Sequence, residues 1–121
     1  MKRLFMLFTL MLVFASCKKN NPDLFIGKIS QSSIEAPTCE TVIEKKIPEI
    51  TWKRNVKGIY QGDFKSELTG KYYAEIEQPA NLDSRVSISI NSEYVQIYSE
   101  YNGEFSDDQL IQLTFKIYRY K

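Results

Sequence analysis

The stretch that decides the fold is residues 84–101, which read SRVSISINSEYVQIYSEY. Val86, Ile88 and Ile90 alternate with polar residues in its first half, and the same alternation resumes around Val95 in its second half. A period of two, with many β-branched and aromatic residues, is typical of strands that bury one face. The stretch therefore predicts two consecutive antiparallel strands with a polar turn between them.

Further strands are predicted on both sides, at residues 50–53, 56–65, 71–78 and 111–117. Asn102-Gly103 has the strongest turn chemistry, because both residues tolerate the positive φ angles of a tight hairpin. The sequence Ser106-Asp107-Asp108-Gln109 could cap a helix that begins at Leu110, but the alternation of residues 111–117 favours a strand there. Five or six antiparallel strands make a meander, which without a long helix must close as a small barrel or fold into a sandwich. We therefore expect an all-β domain over residues 47–121.

The first residues of the chain form a signal-like segment. Lys2 and Arg3 precede an apolar run of roughly a dozen residues, which suits a signal peptide and is too short for a transmembrane helix of about 20. The run ends in the sequence VFASC at residues 13–17. This ending resembles the lipobox of bacterial lipoproteins, although Phe14 stands where that family most often has Leu.

The resemblance implies a lipid anchor at Cys17. In bacterial lipoproteins the cysteine is acylated and the residues before it are removed, so residues 1–16 would be the signal peptide. Two or more acyl chains hold a protein firmly on a membrane, where one chain is marginal. Position 18 is Lys rather than the Asp that retains enteric-type lipoproteins in the inner membrane, which implies the outer membrane. The absence of an acidic run after Cys17 favours its periplasmic face over the cell surface.

Residues 17–46 are expected to form a flexible tether, because they are polar and irregular. Leu24-Phe25-Ile26 interrupts this composition and could dock on the domain as an extra strand. Thr41-Val42-Ile43-Glu44 has the form of a capping box, which predicts a helix of a turn or two before Pro48.

Composition excludes several classes of function. The chain has 16 basic and 15 acidic residues, and loss of Lys2 and Arg3 leaves 14 against 15, so nucleic acid is not an expected partner. Histidine is absent, which removes the most common general base and zinc ligand. Of two cysteines, lipidation of Cys17 would leave Cys39 unpaired in its own chain, either inert or bonded to another chain. We expect no enzyme, no metal and no cofactor.

Three groups of polar residues are candidate sites. Glu75 and Glu77 share one face of a predicted strand, where they would bind a cation or act in hydrolysis, but a solvated sheet face is the commoner arrangement. Asp107-Asp108 with Glu104 matches no calcium-loop spacing. Ser87 and Ser89 point outward, and no Ser-x-x-Lys sequence accompanies them.

Tyrosines are the candidate binding residues, because a rigid ring with a hydroxyl suits a surface that meets sugars, peptides or a partner protein. Those on predicted outer faces are Tyr73, Tyr94, Tyr98, Tyr118 and Tyr120. Cross-strand tyrosine pairs also stabilise sheets without binding anything. Trp52 is expected to pack in the core rather than serve as a sugar platform.

Gly58-Ile59-Tyr60-Gln61-Gly62 resembles the Gly-x-Tyr/Trp-x-Gly bend of lipocalin-like lipoproteins. Lipocalins enclose a ligand with eight strands, for which about 75 residues leave little room. The expected function is that of a membrane-anchored, non-enzymatic lipoprotein that binds a protein or a small molecule or maintains the envelope. The alternative is an inhibitor or immunity-type protein that blocks an envelope-acting enzyme such as a lysozyme, with residues 78–85 as the inserting loop.

Overall fold

The computed structural model describes residues 23–119. Within this range the chain is built from strands and turns, and it contains no helix that could cross a membrane. The nine strands of this range are β1 (Leu24–Ser30), β2 (Thr38–Lys45), β3 (Ile50–Val56), β4 (Ile59–Phe64), β5 (Tyr72–Ile76), β6 (Ser84–Ile90), β7 (Tyr94–Tyr101), β8 (Glu104–Phe105) and β9 (Leu113–Arg119).

The strands form two antiparallel sheets packed face to face. Sheet A has the order β2-β1-β9-β5, and sheet B has the order β3-β4-β7-β6 with β8 paired to β7. Consecutive strands β2 and β3 lie at the edges of different sheets, so the two layers do not join into a barrel there. Of the two expected closures of the all-β domain, the structure therefore has the sandwich.

The core lies between the sheets and is filled by the alternate residues that the sequence pattern predicts. Val86, Val95 and Ile97 of the deciding stretch are at most 2% exposed. Phe115 and Ile117 of β9 are equally buried, and the Phe115 ring packs at a tilt against Phe25 of β1 with centroids 5.4 Å apart. Full burial of one such side chain stabilises the fold by about 1.5–3 kcal/mol.

The strand order is not that of a simple meander. The last strand, β9, pairs with both β1 and β5, so it lies inside sheet A although it ends the described chain. Its inward side chains Leu113, Phe115 and Ile117 are all buried, which is why a central place suits it. The strand begins at Leu113 rather than at Ile111, because Gln112 has a φ of 49° and Ile111 is 75% exposed.

Much of the expected tether belongs to the domain. Residues 24–45 form β1 and β2, and β1 lies between β2 and β9 with Phe25 and Ile29 almost fully buried. The domain boundary predicted at residue 47 is therefore corrected to the start of β1, and the capping-box sequence at residues 41–44 lies in a strand instead of a helix. Opposite Ile26 and Gly27, β2 has a bulge at Val42, so the alternation of β2 is interrupted between Thr41 and Ile43.

The predicted hairpin turn at Asn102-Gly103 is confirmed, since the φ angles are 51° and 81° and the turn joins β7 to β8.

Antiparallel pairing also determines which loops lie at each of the two ends of the sandwich. Asp23 lies at one end with the β2–β3, β4–β5 and β6–β7 connections. The β1–β2, β5–β6 and β8–β9 loops lie at the opposite end.

Candidate functional site

The candidate site is a cleft of about 500 Å³ at the open side of the sandwich, between the edge strands β2 and β3. Ligand pockets commonly have volumes of roughly 300–1,000 Å³. Its lining comes from both sheets and consists of Phe25, Cys39, Thr41, Glu44, Glu49, Ile50 and Trp52. We call these residues the edge cleft.

Two strand glycines make room for side chains of the edge cleft. A Cβ atom on Gly62 would lie 2.6 Å from Cγ2 of Ile50 and 3.0 Å from two ring atoms of Trp52. A Cβ atom on Gly27 would lie 2.7 Å from Sγ of Cys39. Glycine within a strand often marks a place where another group approaches the backbone closely. Here Gly62 allows Ile50 and Trp52, and Gly27 allows Cys39, to lie close against the sheet beneath the cleft.

Trp52 forms the aromatic part of this surface. Its ring meets Phe115 edge-on, with centroids 5.7 Å apart and an interplanar angle of 83°. It is half-buried and packs against the core, as the sequence predicts, yet it also lines the edge cleft. The indole therefore has one edge in the core and part of its surface available to a ligand.

Cys39 is a free, half-buried thiol in the edge cleft. Burial, and to a smaller extent the nearby negative charge of Glu40, raise the pKa of this thiol to about 11. Because the thiolate is the reactive form, Cys39 is a poor nucleophile and a poor metal ligand near neutral pH. Its part in the edge cleft is that of a packing surface.

Two carboxylates line the edge cleft, one on each wall. Glu44 faces the inner side of β2 opposite Phe25, and its side chain forms no ion pair or hydrogen bond with any residue in the range 23–119. Glu49 has Lys65 at 4.0 Å, with both side chains more than 70% exposed. An exposed pair at that distance contributes little. The edge cleft therefore joins an aromatic surface to unneutralised negative charge.

The predicted tyrosines are divided between the two outer faces. Tyr73 and Tyr118 are cross-strand neighbours on sheet A with stacked rings 5.9 Å apart, and Tyr118 donates a hydrogen bond to Glu75 over 2.9 Å. Tyr94 and Tyr98 lie on β7 in sheet B, where Tyr98 packs near Phe105 and donates to Gln96 over 2.7 Å. The four do not form one continuous stripe. Tyr120 and Cys17 lie outside the described residues.

Four of the five acidic candidates from the sequence, Glu75, Glu77, Asp107 and Asp108, have protein partners. Glu77 lies with Glu75 on the outer face and accepts a hydrogen bond from the Thr114 backbone over 3.4 Å. Asp108 accepts one from the Ser33 backbone over 2.6 Å. Asp107 is held by Arg54, as described below. Within residues 23–119 no group of three or more potential ligands is placed to hold a metal ion.

Asp107 organises the loop end of the sandwich instead. Its Oδ2 accepts from Arg54 over 2.7 Å, and its Oδ1 accepts from Tyr60 over 2.5 Å and from the Gly58 backbone over 3.1 Å. These bonds, led by Arg54, lower the pKa of Asp107 to about 2. Gln31 joins the network through Tyr60 over 2.8 Å. Three loops from both sheets are thereby fixed together, so the network is structural.

Sequence reasoning named none of the edge cleft residues as ligand contacts. The available signal was the pair of glycines inside alternating strands, since Gly27 and Gly62 each mark a close approach. Six of the seven residues of the edge cleft lie between residues 39 and 52, but β2 and β3 belong to different sheets, so the two walls face each other only when the sheets pack. A scan against protein-family models, a search of curated proteins and a search of solved structures each found no match.

Proposed function

We propose that this protein is a lipid-anchored lipoprotein of the bacterial envelope that binds a ligand and catalyses no reaction. The observation that supports binding is the edge cleft, which combines an aromatic floor with polar walls in a volume typical of ligand sites. The acylated residue would be Cys17, and the outer membrane, on its periplasmic face, is the proposed location.

The way in which the chain enters the domain is compatible with an anchor. Asp23 is 5% exposed, and its carboxylate accepts a hydrogen bond from Tyr72 over 2.9 Å and lies 3.6 Å from Arg119. Five residues separate Cys17 from Asp23, and a fully extended chain over those six Cα–Cα steps reaches about 20 Å. Under this proposal the Asp23 end of the sandwich would face the membrane and the loops of the opposite end would point away from it.

The test of the anchor is the intact mass and detergent partitioning of the protein made in a bacterial host, beside the variant Cys17→Ala. We expect loss of residues 1–16 and added acyl mass in the wild type, both absent in the variant. Membrane fractionation and added protease then distinguish the outer membrane and its two faces. A soluble, unacylated product from both proteins would overturn the anchor.

A second function, inhibition of an envelope-acting enzyme, is favoured by one observation. The loop between β5 and β6 carries Leu82, which is 100% exposed. The loop is braced because the Gln78 side chain bonds both backbone groups of Val86, at 2.7 and 3.1 Å, and Asn102 donates to the Asp83 carbonyl over 2.9 Å. A rigid loop with an apolar tip suits insertion into a cleft.

This alternative is tested by following peptidoglycan hydrolysis by lysozyme with and without the protein. An inhibitor would slow hydrolysis, and Leu82→Asp would restore the rate while leaving stability unchanged, since Leu82 is fully exposed. Equal rates with and without the wild-type protein would reject inhibition of that enzyme.

A further inference from the structure

Beside the edge cleft lies a strand, β2, that pairs with a neighbour in the described range on one side only. Strand β2 pairs with β1 on one side and is the outermost strand of sheet A within the described range. It is eight residues long and almost entirely exposed. The unpaired backbone groups of an exposed edge strand are a template for an added strand.

The position of such an added strand decides where its side chains would point. Alternate side chains of a strand face opposite sides of a sheet. Inward-facing side chains of a strand added to β2 would continue the inner face that already carries Cys39, Thr41 and Glu44. They would enter the edge cleft opposite Glu49 and Trp52 of the β3 wall.

The chemistry of the edge cleft selects the charge of those side chains. Glu44 has no neutralising partner in the described part of the chain, and Glu49 has only the weak, exposed contact with Lys65. Lys45 pairs with Leu24 and therefore lies on the outer face, away from the edge cleft. An ammonium or guanidinium group is attracted both by carboxylates and by the face of an indole.

We infer that the edge cleft receives a lysine or arginine side chain of an extended segment of a partner protein, whose backbone pairs with the free edge of β2. This inference rests on the proposed binding function and specifies its ligand. It does not require the lipid anchor. Backbone pairing supplies general affinity, and the edge cleft supplies the selection for a basic residue at every second position.

Trp52 provides the measurement, because it is the only tryptophan of the chain. The protein as a bacterial host makes it, purified in detergent, is titrated with the peptide acetyl-Thr-Lys-Thr-Lys-Thr-amide while tryptophan emission is recorded. Three further probes are the same peptide with norleucine for lysine, the same peptide with arginine for lysine, and n-butylammonium alone.

We expect saturable changes with the lysine and arginine peptides, and at least about tenfold weaker binding of the norleucine peptide and of n-butylammonium. Glu44→Gln with Glu49→Gln should weaken binding of the lysine peptide by about tenfold. The matched control is Glu93→Gln with Glu104→Gln, which makes the same change in net charge at exposed turn and hairpin positions outside the edge cleft. This control should bind like the wild type.

Three results would overturn the inference. The first is an emission spectrum that neither basic peptide changes. The second is an affinity for the norleucine peptide equal to that for the lysine peptide. The third is an equal loss of lysine-peptide binding in the edge-cleft double variant and in the control double variant. Tight binding of n-butylammonium alone would reject strand pairing and identify a site for small amines. The acyl mass of Cys17 is measured separately, so failure of the anchor and failure of peptide binding are distinguishable.

Discussion

The hydroxyl of Tyr60 lies 2.5 Å from Oδ1 of Asp107, so a side chain from the centre of sheet B holds the long β8–β9 loop in place. Tyr60 is fully buried, and Asp107 retains 11% exposure while it also receives the guanidinium of Arg54. Burial and the Asp107 carboxylate raise the pKa of Tyr60, so it remains a hydrogen-bond donor under ordinary conditions. The loop is thus tied to the core by one charged residue.

Asp107→Asn should lower the free energy of unfolding by about 2–3 kcal/mol, because a charge-assisted network loses its charge and leaves Arg54 unpaired. The measurement is urea unfolding at pH 7. Asp63→Asn is the matched control, since the Lys53–Asp63 pair is about half exposed and its loss should cost under about 1 kcal/mol. Equal losses in the two variants would contradict a structural role for Asp107.

The same carboxylate predicts a pH dependence. The pKa of Asp107 is about 2 in the folded protein and near 3.9 in an unfolded chain, so the folded state favours the charged form. The resulting stability is present above about pH 4 and is lost as pH falls through 2. Urea unfolding between pH 5 and pH 2 should show a loss of about 2 kcal/mol in the wild type that Asp107→Asn lacks. If the free energy of unfolding fell equally with pH in the wild type and in Asp107→Asn, Asp107 would not be the source of this pH dependence.

Gly62→Ala and Gly103→Ala should destabilise the protein for different reasons. Alanine at residue 62 would collide with Ile50 and Trp52, costing about 1–3 kcal/mol and shifting tryptophan emission. Alanine at residue 103 meets nothing within 4 Å but must adopt a φ of 81°, costing about 1 kcal/mol with unchanged emission. Calorimetry and fluorescence separate the two effects, and unchanged emission in Gly62→Ala would contradict the close approach of Trp52.

Cys39 should react slowly with iodoacetamide at pH 7.5. Its pKa of about 11, against 9.0 for an ordinary cysteine, leaves about a hundredfold less thiolate at that pH. The rate should rise steadily as pH increases towards 11. Mass spectrometry of the peptide that contains Cys39 gives the rate, with the urea-unfolded protein as reference. Equal rates in the folded and unfolded protein would show that the thiol is not protected.

Tyr72→Phe should destabilise the protein by about 1–2 kcal/mol, because the nearly buried carboxylate of Asp23 loses a hydrogen bond of 2.9 Å. Tyr98→Phe is the control. Its hydroxyl bonds to Gln96 on the outer face of sheet B, where water can replace it, so the loss should stay below about 0.5 kcal/mol. Thermal unfolding measures the stability of both variants. A larger loss of stability in Tyr98→Phe than in Tyr72→Phe would contradict the structural role of the Tyr72–Asp23 hydrogen bond.

Patterns of alternation were sufficient to predict the all-β fold and most inward residues. Val86, Val95, Ile97 and Phe115 are buried as expected, because a half-buried strand carries its orientation in its own period of two. Strand β1 was assigned to a tether because polar, irregular sequence surrounds it and because its burial depends on contacts with β2 and β9. The capping-box sequence in β2 failed as a helix signal because pairing with β1 overrides local propensity.

What the sequence alone determined is local: strand character, the turn at Asn102-Gly103, and the absence of histidine chemistry. The tertiary structure decided which sheet each strand joined, and with it the separation of Tyr73 and Tyr118 from Tyr94 and Tyr98 on different outer faces. It also decided the edge cleft, because Glu44 and Trp52 come from edge strands of different sheets. Glu44 and Trp52 are only eight positions apart, but the period of two within a strand records which face is buried and not which strand of the other sheet packs against it.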